Sequence, residues 1–304
     1  ETENALYDLA YCLEITGELE NSIEYYKKFI DEDPYSEYAW FNLGNIYMKL
    51  DQFENAVEAF EFSIAIDEEY SSAYINISES LIKLEKFDQA KKYLDKSLNL
   101  DGPSPEIYSC LGNVNFYLED YSTSISFYQK SIKIDQMFKE SYFGLGRSLS
   151  KLDKWFEAIH FFKKAYKIDN KNIEYVKSLA YAEFKVGNLV SSIDLYSKAV
   201  EMQPDDYKLS LDFSLIYYES GDIDKAIEII DQAIEESPGE SLLYYRLVIY
   251  LMDAGRYKES INVLESALSL NFDNHDVLFD FVPNFESQSA LIRVINQFKN
   301  SGHR

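Results

Sequence analysis

Residues 47–56 read Tyr-Met-Lys-Leu-Asp-Gln-Phe-Glu-Asn-Ala. The stretch returns as Leu-Ile-Lys-Leu-Glu-Lys-Phe-Asp-Gln-Ala at 81–90 and as Leu-Ser-Lys-Leu-Asp-Lys-Trp-Phe-Glu-Ala at 149–158. The offsets are 34 and 68, so the chain repeats every 34 residues. A period of that length signals stacked supersecondary units and precedes any division into domains. Laid from Glu3, the period gives eight windows without insertion or deletion: 3–36, 37–70, 71–104, 105–138, 139–172, 173–206, 207–240 and 241–274.

Each window carries the same pattern. Place 7 is apolar in all eight: Leu9, Leu43, Ile77, Leu111, Leu145, Leu179, Phe213 and Leu247. Place 8 is small in seven, among them Ala10, Gly44, Gly112 and Gly146, and place 4 is bulky in most, as in Trp40, Tyr74 and Tyr108. Spacings of three and four put these residues on one helical stripe, and the small one admits a second helix at close range. Place 15 holds a turn, with Gly17, Gly187, Gly221 and Gly255 ending the first helix. A small residue at place 20 and a bulky one at place 24 (Tyr26, Phe60, Leu94, Tyr128, Phe162, Tyr196, Ile230, Leu264) define a second helix. Five of the six prolines lie at seams between windows, where they stop a helix without breaking its interior.

This pattern resembles the tetratricopeptide repeat family over residues 3–274, most closely in Trp40, Leu43, Gly44, Tyr47, Phe53, Ala56 and Phe60. The resemblance implies an all-α fold, a right-handed α-solenoid superhelix of eight antiparallel helix pairs whose first helices line a concave groove. One continuous core then replaces the two domains that 304 residues would otherwise suggest. Residues 275–304 fall out of phase. Leu278, Phe281 and Val282 open a ninth pair that Pro283 cuts short. Ala290, Leu291, Val294, Ile295 and Phe298 then form the apolar stripe of a C-terminal capping helix, with Arg293, Asn296, Gln297 and Lys299 opposite. The competing arrangement folds this segment back into the groove.

Composition excludes much else. Apolar residues make up 46% and Gly and Pro are few, which rules out collagen-like and disordered classes. No stretch approaches the ~18 apolar residues of a membrane helix, and the start has no basic-then-apolar signal pattern. A net charge of −24 disfavours nucleic acid and anionic membranes as partners, and with them a related RNA-binding helical repeat. Cys12 and Cys110 form no CxxC motif, and His160, His275 and His303 share no metal-ligand spacing. No cofactor, metal or catalytic residue is expected. A cytoplasmic location fits, with a periplasmic or exported one left open because the chain starts at Glu1 without Met.

The functional signal is aromatic. Tyr, Phe and Trp make up 16% of the chain, more than the helix framework absorbs. A second stripe on each first helix, at places 2, 5, 9 and 12, faces the groove in the family. Here it carries Tyr7, Tyr11, Tyr38, Phe41, Phe116, Phe143, Tyr181, Phe184, Tyr218 and Tyr245, with Asn45 and Asn113 on it and Asn76 nearby. Tyrosine beside asparagine suits peptide binding, combining apolar area with adaptable hydrogen bonding. In the last two windows Leu211, Leu215, Tyr218, Leu242, Tyr245, Ile249 and Met252 leave Lys208 as the only polar residue on the stripe. A patch of that kind is covered by a partner, by a second copy through the C-terminal repeats, or by residues 275–304.

Charge is uneven. Window 139–172 alone is basic, at +4, while windows 3–36, 37–70 and 207–240 each carry −7. Arg147, Lys177 and Lys208 lie on the groove stripe and are candidates to hold a carboxylate of a ligand. The clamp by which some family members grip a chaperone C-terminus is absent: Asn45 and Asn76 match it, but Phe41, Glu106 and Cys110 stand where its cations belong. The sequence thus predicts a non-enzymatic scaffold or adaptor binding a peptide or protein segment in its groove. The alternatives are the recognition module of a larger enzyme or of a secretion or assembly machine, and a self-associating structural protein.

Overall fold

In the computed structural model the described residues are 3–281 and 289–300. Sixteen helices come first, in pairs: α1 (Glu3–Thr16) with α2 (Leu19–Glu32), α3 (Glu37–Lys49) with α4 (Phe53–Ile66), α5 (Ser71–Lys83) with α6 (Phe87–Asp101), and α7 (Pro105–Tyr117) with α8 (Tyr121–Ile134). Then follow α9 (Lys139–Lys151) with α10 (Trp155–Ile168), α11 (Ile173–Lys185) with α12 (Leu189–Met202), α13 (Tyr207–Glu219) with α14 (Ile223–Glu236), and α15 (Ser241–Asp253) with α16 (Tyr257–Leu270). A 3₁₀ turn at Phe272–Asp276, α17 (Val277–Phe281) and α18 (Ser289–Asn300) complete the chain. Among the described residues there is no strand, and no helix is long and apolar enough to cross a membrane.

The chain divides into two compact units, Glu1–Ile168 with α1–α10 and Asp169–Arg304 with α11–α18. In the first, the core runs through Leu43, Phe60, Ile77, Leu94 and Leu111. In the second, Ala180, Tyr196 and Ile216 form one cluster, and Ile230, Leu247, Val248 and Leu264 belong to another.

Helix starts follow local chemistry. Ser104 Oγ accepts the Ile107 amide at 3.2 Å ahead of Pro105, and the Asn172 side chain accepts the amides of Glu174 and Tyr175. Helix ends follow one rule in all eight pairs: place 15 takes a left-handed backbone, with φ between 55° and 90°. Gly17, Gly187, Gly221 and Gly255 do so freely; Asp51, Glu85, Glu119 and Asp153 do so with a side chain. The next amide then closes the turn, as in Gln52 N–H to the Tyr47 carbonyl at 2.8 Å and Arg256 N–H to the Leu251 carbonyl at 2.8 Å.

Where place 8 is glycine, it lies directly against the place-24 ring of its partner helix. A Cβ built on Gly112 would come within 2.6 Å of the Tyr128 ring, and one on Gly146 within 2.7 Å of Phe162. The buried serines tie the two helices together. Ser22, Ser124 and Ser192, all at place 20, donate to the place-8 carbonyls of Ala10, Gly112 and Ala180 at 2.7–2.8 Å. In α5 the roles reverse, and Ser78 at place 8 donates to the place-20 carbonyl of Ala90 at 3.1 Å.

The C-terminal segment caps the second unit. α17 packs on α15 and α18 on α16, with Leu278, Leu291 and Ile295 buried. Val294 and Phe298 are half-buried beside them, while Arg293, Asn296, Gln297 and Lys299 are exposed. Ala290, predicted on the apolar stripe, is exposed, because it lies in the first turn of α18, ahead of the buried Leu291. Val282 and Pro283 lie outside the described residues, as does His303.

Candidate functional site

The predicted site residues fall on the first helices, and each unit presents its own share of them. In the first unit Tyr11 on α1 and Tyr38 on α3 are 50% and 55% exposed. They are large apolar rings held out to water, Tyr38 steadied edge-to-face by Tyr70 at 5.7 Å. Tyr7 is half-buried against Tyr26 and Phe29, and its hydroxyl accepts a hydrogen bond from Asn42 Nδ2 at 2.7 Å. Phe41 is more framework than predicted, leaning on Phe60 at 5.4 Å and Tyr70 at 4.8 Å.

The asparagines are largely committed to one another and to the framework. Asn76 Nδ2 donates to Asn45 Oδ1 at 2.7 Å, linking α5 to α3. Asn113 Oδ1 accepts the Tyr128 hydroxyl at 2.8 Å. Arg147, a candidate to hold a carboxylate, stacks on aromatic rings: its guanidinium carbon lies 4.1 Å from the Phe116 ring centroid and 5.8 Å from those of Tyr117 and Phe143. Three rings hold this cation in place. Phe143 is half-buried and tilts on Phe162 at 5.8 Å.

Between α5, α7 and α9 the first-helix face deepens into a concavity of about 260 Å³ lined by Ser72, Asn76, Glu79, Glu106, Cys110 and Glu140 among others. Cys110 Sγ donates to Glu79 Oε1 at 3.5 Å, and burial pushes the thiol well above its ordinary pKa, which makes it unreactive. Water reaches Glu79, yet the concave walls around it raise its pKa by desolvation, against the smaller opposing pull of the Cys110 hydrogen bond. Three carboxylates and no cation line this hollow, so this part of the first unit presents acid, in keeping with Glu106 and Cys110 standing where a carboxylate clamp would need cations.

In the second unit Tyr181 on α11 is 42% exposed, and Leu211 and Leu215 on α13 are half-buried. Lys177 pairs with Glu174 at 3.3 Å, and Lys208 is exposed at the start of α13. Asp212, one residue beyond Leu211, has its pKa raised by desolvation, opposed by Lys177 and Arg246. Tyr218 stacks on Tyr250 at 4.7 Å and donates its hydroxyl to Asp253. Burial and that acceptor push its pKa up to about 12.

Two predicted binding residues are core. Tyr245 and Ile249 are fully buried, and Met252 nearly so, in one cluster with Leu278, Leu291 and Ile295. The 3₁₀ turn and α17 pack on α15, and the Tyr245 hydroxyl donates to the Asn271 carbonyl at 2.8 Å. The apolar stripe of the last repeat is therefore covered by the chain's own C-terminal segment.

Place 6 was missed apart from Asn76. Asn42, Cys110, Asp212 and Arg246 also occupy it, beside places 2 and 9 of the stripe at helical spacings of four and three, and all bear on the first-helix face. The Arg246 guanidinium lies 3.9 Å from the Phe281 centroid. The run of polar residues at that place was the available signal.

Profiles of the tetratricopeptide repeat match residues 37–70, residues 183–249, and residues 3–36, 71–103, 139–172 and 242–274. No curated protein matches the chain significantly. Among solved structures, a chain of the APC/C hetero-tetramer Cut9–Hcn1 aligns with 82% of this chain at 19% identity and a TM-score of 0.66. This chain spans 46% of the length of that one. PilW, a type IV pilus biogenesis factor, aligns with 67% of this chain and 94% of its own at 17% identity, with a TM-score of 0.59. The MamA protein aligns with 59% of this chain and 98% of its own at 23% identity, with a TM-score of 0.50. At these identities the likeness is one of fold.

Proposed function

We propose that this chain, which belongs to the tetratricopeptide repeat family, is a non-enzymatic scaffold that binds a peptide or protein segment along the exposed face of its first helices. The same reading takes residues 3–274 as eight contiguous 34-residue units serving one array. The observation that carries it is the outward placement of Tyr11, Tyr38 and Tyr181, large rings that the core does not use. Rigid amphipathic rings give contact area at low entropic cost and are enriched where proteins meet. Half-buried Leu211 and Leu215 add apolar area in the second unit, and Lys177 and Lys208 there suit an acidic group on the ligand. That a solved structure of this fold is of a hetero-tetramer is consistent with a role in assemblies.

The test is site-specific photo-crosslinking in the native cell. A benzoylphenylalanine replacing Tyr38 on α3 should capture a protein, and the same group replacing Phe156 on α10 should not. Capture must fall when Tyr11 is also changed to Ala. Equal adducts at both sites, or none at Tyr38, would sink the reading.

A further inference from the structure

The second helices carry a separate feature, and the repeat itself exposes it. Place 23 holds Tyr93, Phe127 and Phe161 in three successive windows of the first unit, each followed three residues later by a lysine. Those lysines cap the rings beside them: Lys96 Nζ lies 5.7 Å from the Tyr74 centroid, Lys130 4.8 Å from Phe127, and Lys164 5.1 Å from Tyr142. Tyr93 also reaches across from α6 to α4, donating to Glu61 at 2.7 Å. In these three repeats the chain supplies both an aromatic plug at place 23 and a cation over the place-4 ring beside it.

Window 37–70 supplies neither. Place 23 is Ala59 and place 26 is Phe62. Where the plug is missing, a concavity of about 440 Å³ opens between α2, α3 and α4. Trp40, stacked on Phe62 at 4.4 Å, and Tyr47 form its aromatic walls, with the buried Ala59 between them. Asp31 and Glu58 bring carboxylates to its rim, and neither has an ion-pair partner among the described residues. The one cation in the lining, Lys27, stands 5.9 Å from the Tyr47 centroid.

We infer that this furrow receives an arginine side chain of a basic partner segment. A guanidinium is planar and weakly hydrated, so it stacks on an indole or phenol face and pairs edge-on with carboxylates. An ammonium offers only a point charge, and an apolar side chain would leave both carboxylates unmatched. Windows 3–36 and 37–70 carry −7 each, and a field of that sign draws a basic segment toward them. The occupant therefore replaces, from outside, the internal cation that Lys96, Lys130 and Lys164 provide elsewhere. The site lies on α2, α3 and α4 at places the first-helix surface does not use, so it stands or falls independently of the groove reading.

The test uses N-acetyl-L-argininamide as probe and the indole N–H signals of the full chain in ¹H–¹⁵N spectra. Trp40 and Trp155 are the only two such signals, and Trp155→Phe assigns them. The Trp40 signal should shift saturably while Trp155 stays still, with affinity falling several-fold between ~50 mM and ~500 mM salt. Ala59→Phe, which restores the plug of the neighbouring repeats, should abolish the shift. Asp31→Asn with Glu58→Gln alters only exposed groups and should weaken binding about tenfold, the loss of two charge-assisted contacts. The inference is overturned by an unmoved Trp40 signal, by an equal response to N-acetyl-L-leucinamide, or by unchanged affinity in the folded double variant.

Discussion

The hydroxyl of Tyr245 donates to the backbone carbonyl of Asn271 at 2.8 Å, joining α15 to the start of the C-terminal segment from a fully buried position. Truncating this side chain should act on folding. Tyr245→Ala is expected to cost about 3–5 kcal/mol, as for other buried aromatics, and Tyr245→Phe about 1–3 kcal/mol by orphaning the Asn271 carbonyl. Tyr38→Ala, at an exposed ring, should stay within ~0.5 kcal/mol. Urea unfolding of the three variants checks the contrast, and equal losses would contradict the burial.

Gly112 tests the closeness of helix packing. Alanine there gains about 1 kcal/mol of helix propensity. Its methyl, however, would lie 2.6 Å from a Tyr128 ring that the hydrogen bond to Asn113 holds in place. Overpacking costs of about 1–3 kcal/mol should win, so Gly112→Ala is expected to lower the melting temperature. Gly239→Ala, whose new methyl would meet nothing within 4 Å, should not.

Glu119 tests the turns. Its φ of 61° is the left-handed backbone that Gly17 and Gly221 adopt in the equivalent places. A side chain there costs about 1–2 kcal/mol, and glycine returns about 0.5–1 kcal/mol of that as unfolded-state entropy. Glu119→Gly should therefore stabilise by about 0.5–1 kcal/mol, while Gly221→Ala destabilises. Thermal melts of the two single variants decide it.

Glu79 gives the pH dependence. Its carboxyl pKa is higher folded than unfolded, because the concave walls desolvate the charge. The neutral form is therefore favoured by folding, and the benefit is present below the unfolded value and lost as pH rises through the folded one. Glu79→Gln, which keeps an acceptor for the Cys110 thiol, should gain melting temperature over wild type as pH rises from about 4 and then level off. A gap that narrows with rising pH would reverse the sign.

The helix pairs were legible because their pattern is local: spacings of three and four, a turn every 34 residues, and small residues opposite large ones. The turns show where legibility stops. Glycine announced four of them, whereas Asp51, Glu85, Glu119 and Asp153 take the same backbone with no sequence mark. The site was read less well, since phase states which side of a helix a residue occupies but not what lies on it. Tyr181 and Tyr245 share a stripe; one is exposed and the other is buried beneath the C-terminal segment. Asn45 and Asn76 looked available singly, and their mutual bond depends on two helices brought together by stacking. The furrow at Ala59 is not legible in its own window, because its signal is a missing ring, visible only against the rings of its neighbours.

The serine ties have a kinetic consequence. Ser22, Ser78, Ser124 and Ser192 each close a loop of only twelve residues, bonding to Ala10, Ala90, Gly112 and Ala180. Closing so short a loop takes tens of nanoseconds, far less than assembling a sheet from distant strands. A hairpin can therefore lock soon after its second helix leaves the ribosome, before the rest of the chain exists. Nascent chains of increasing length should gain protection from proteolysis in steps of one repeat, each new hairpin docking on a template already in place.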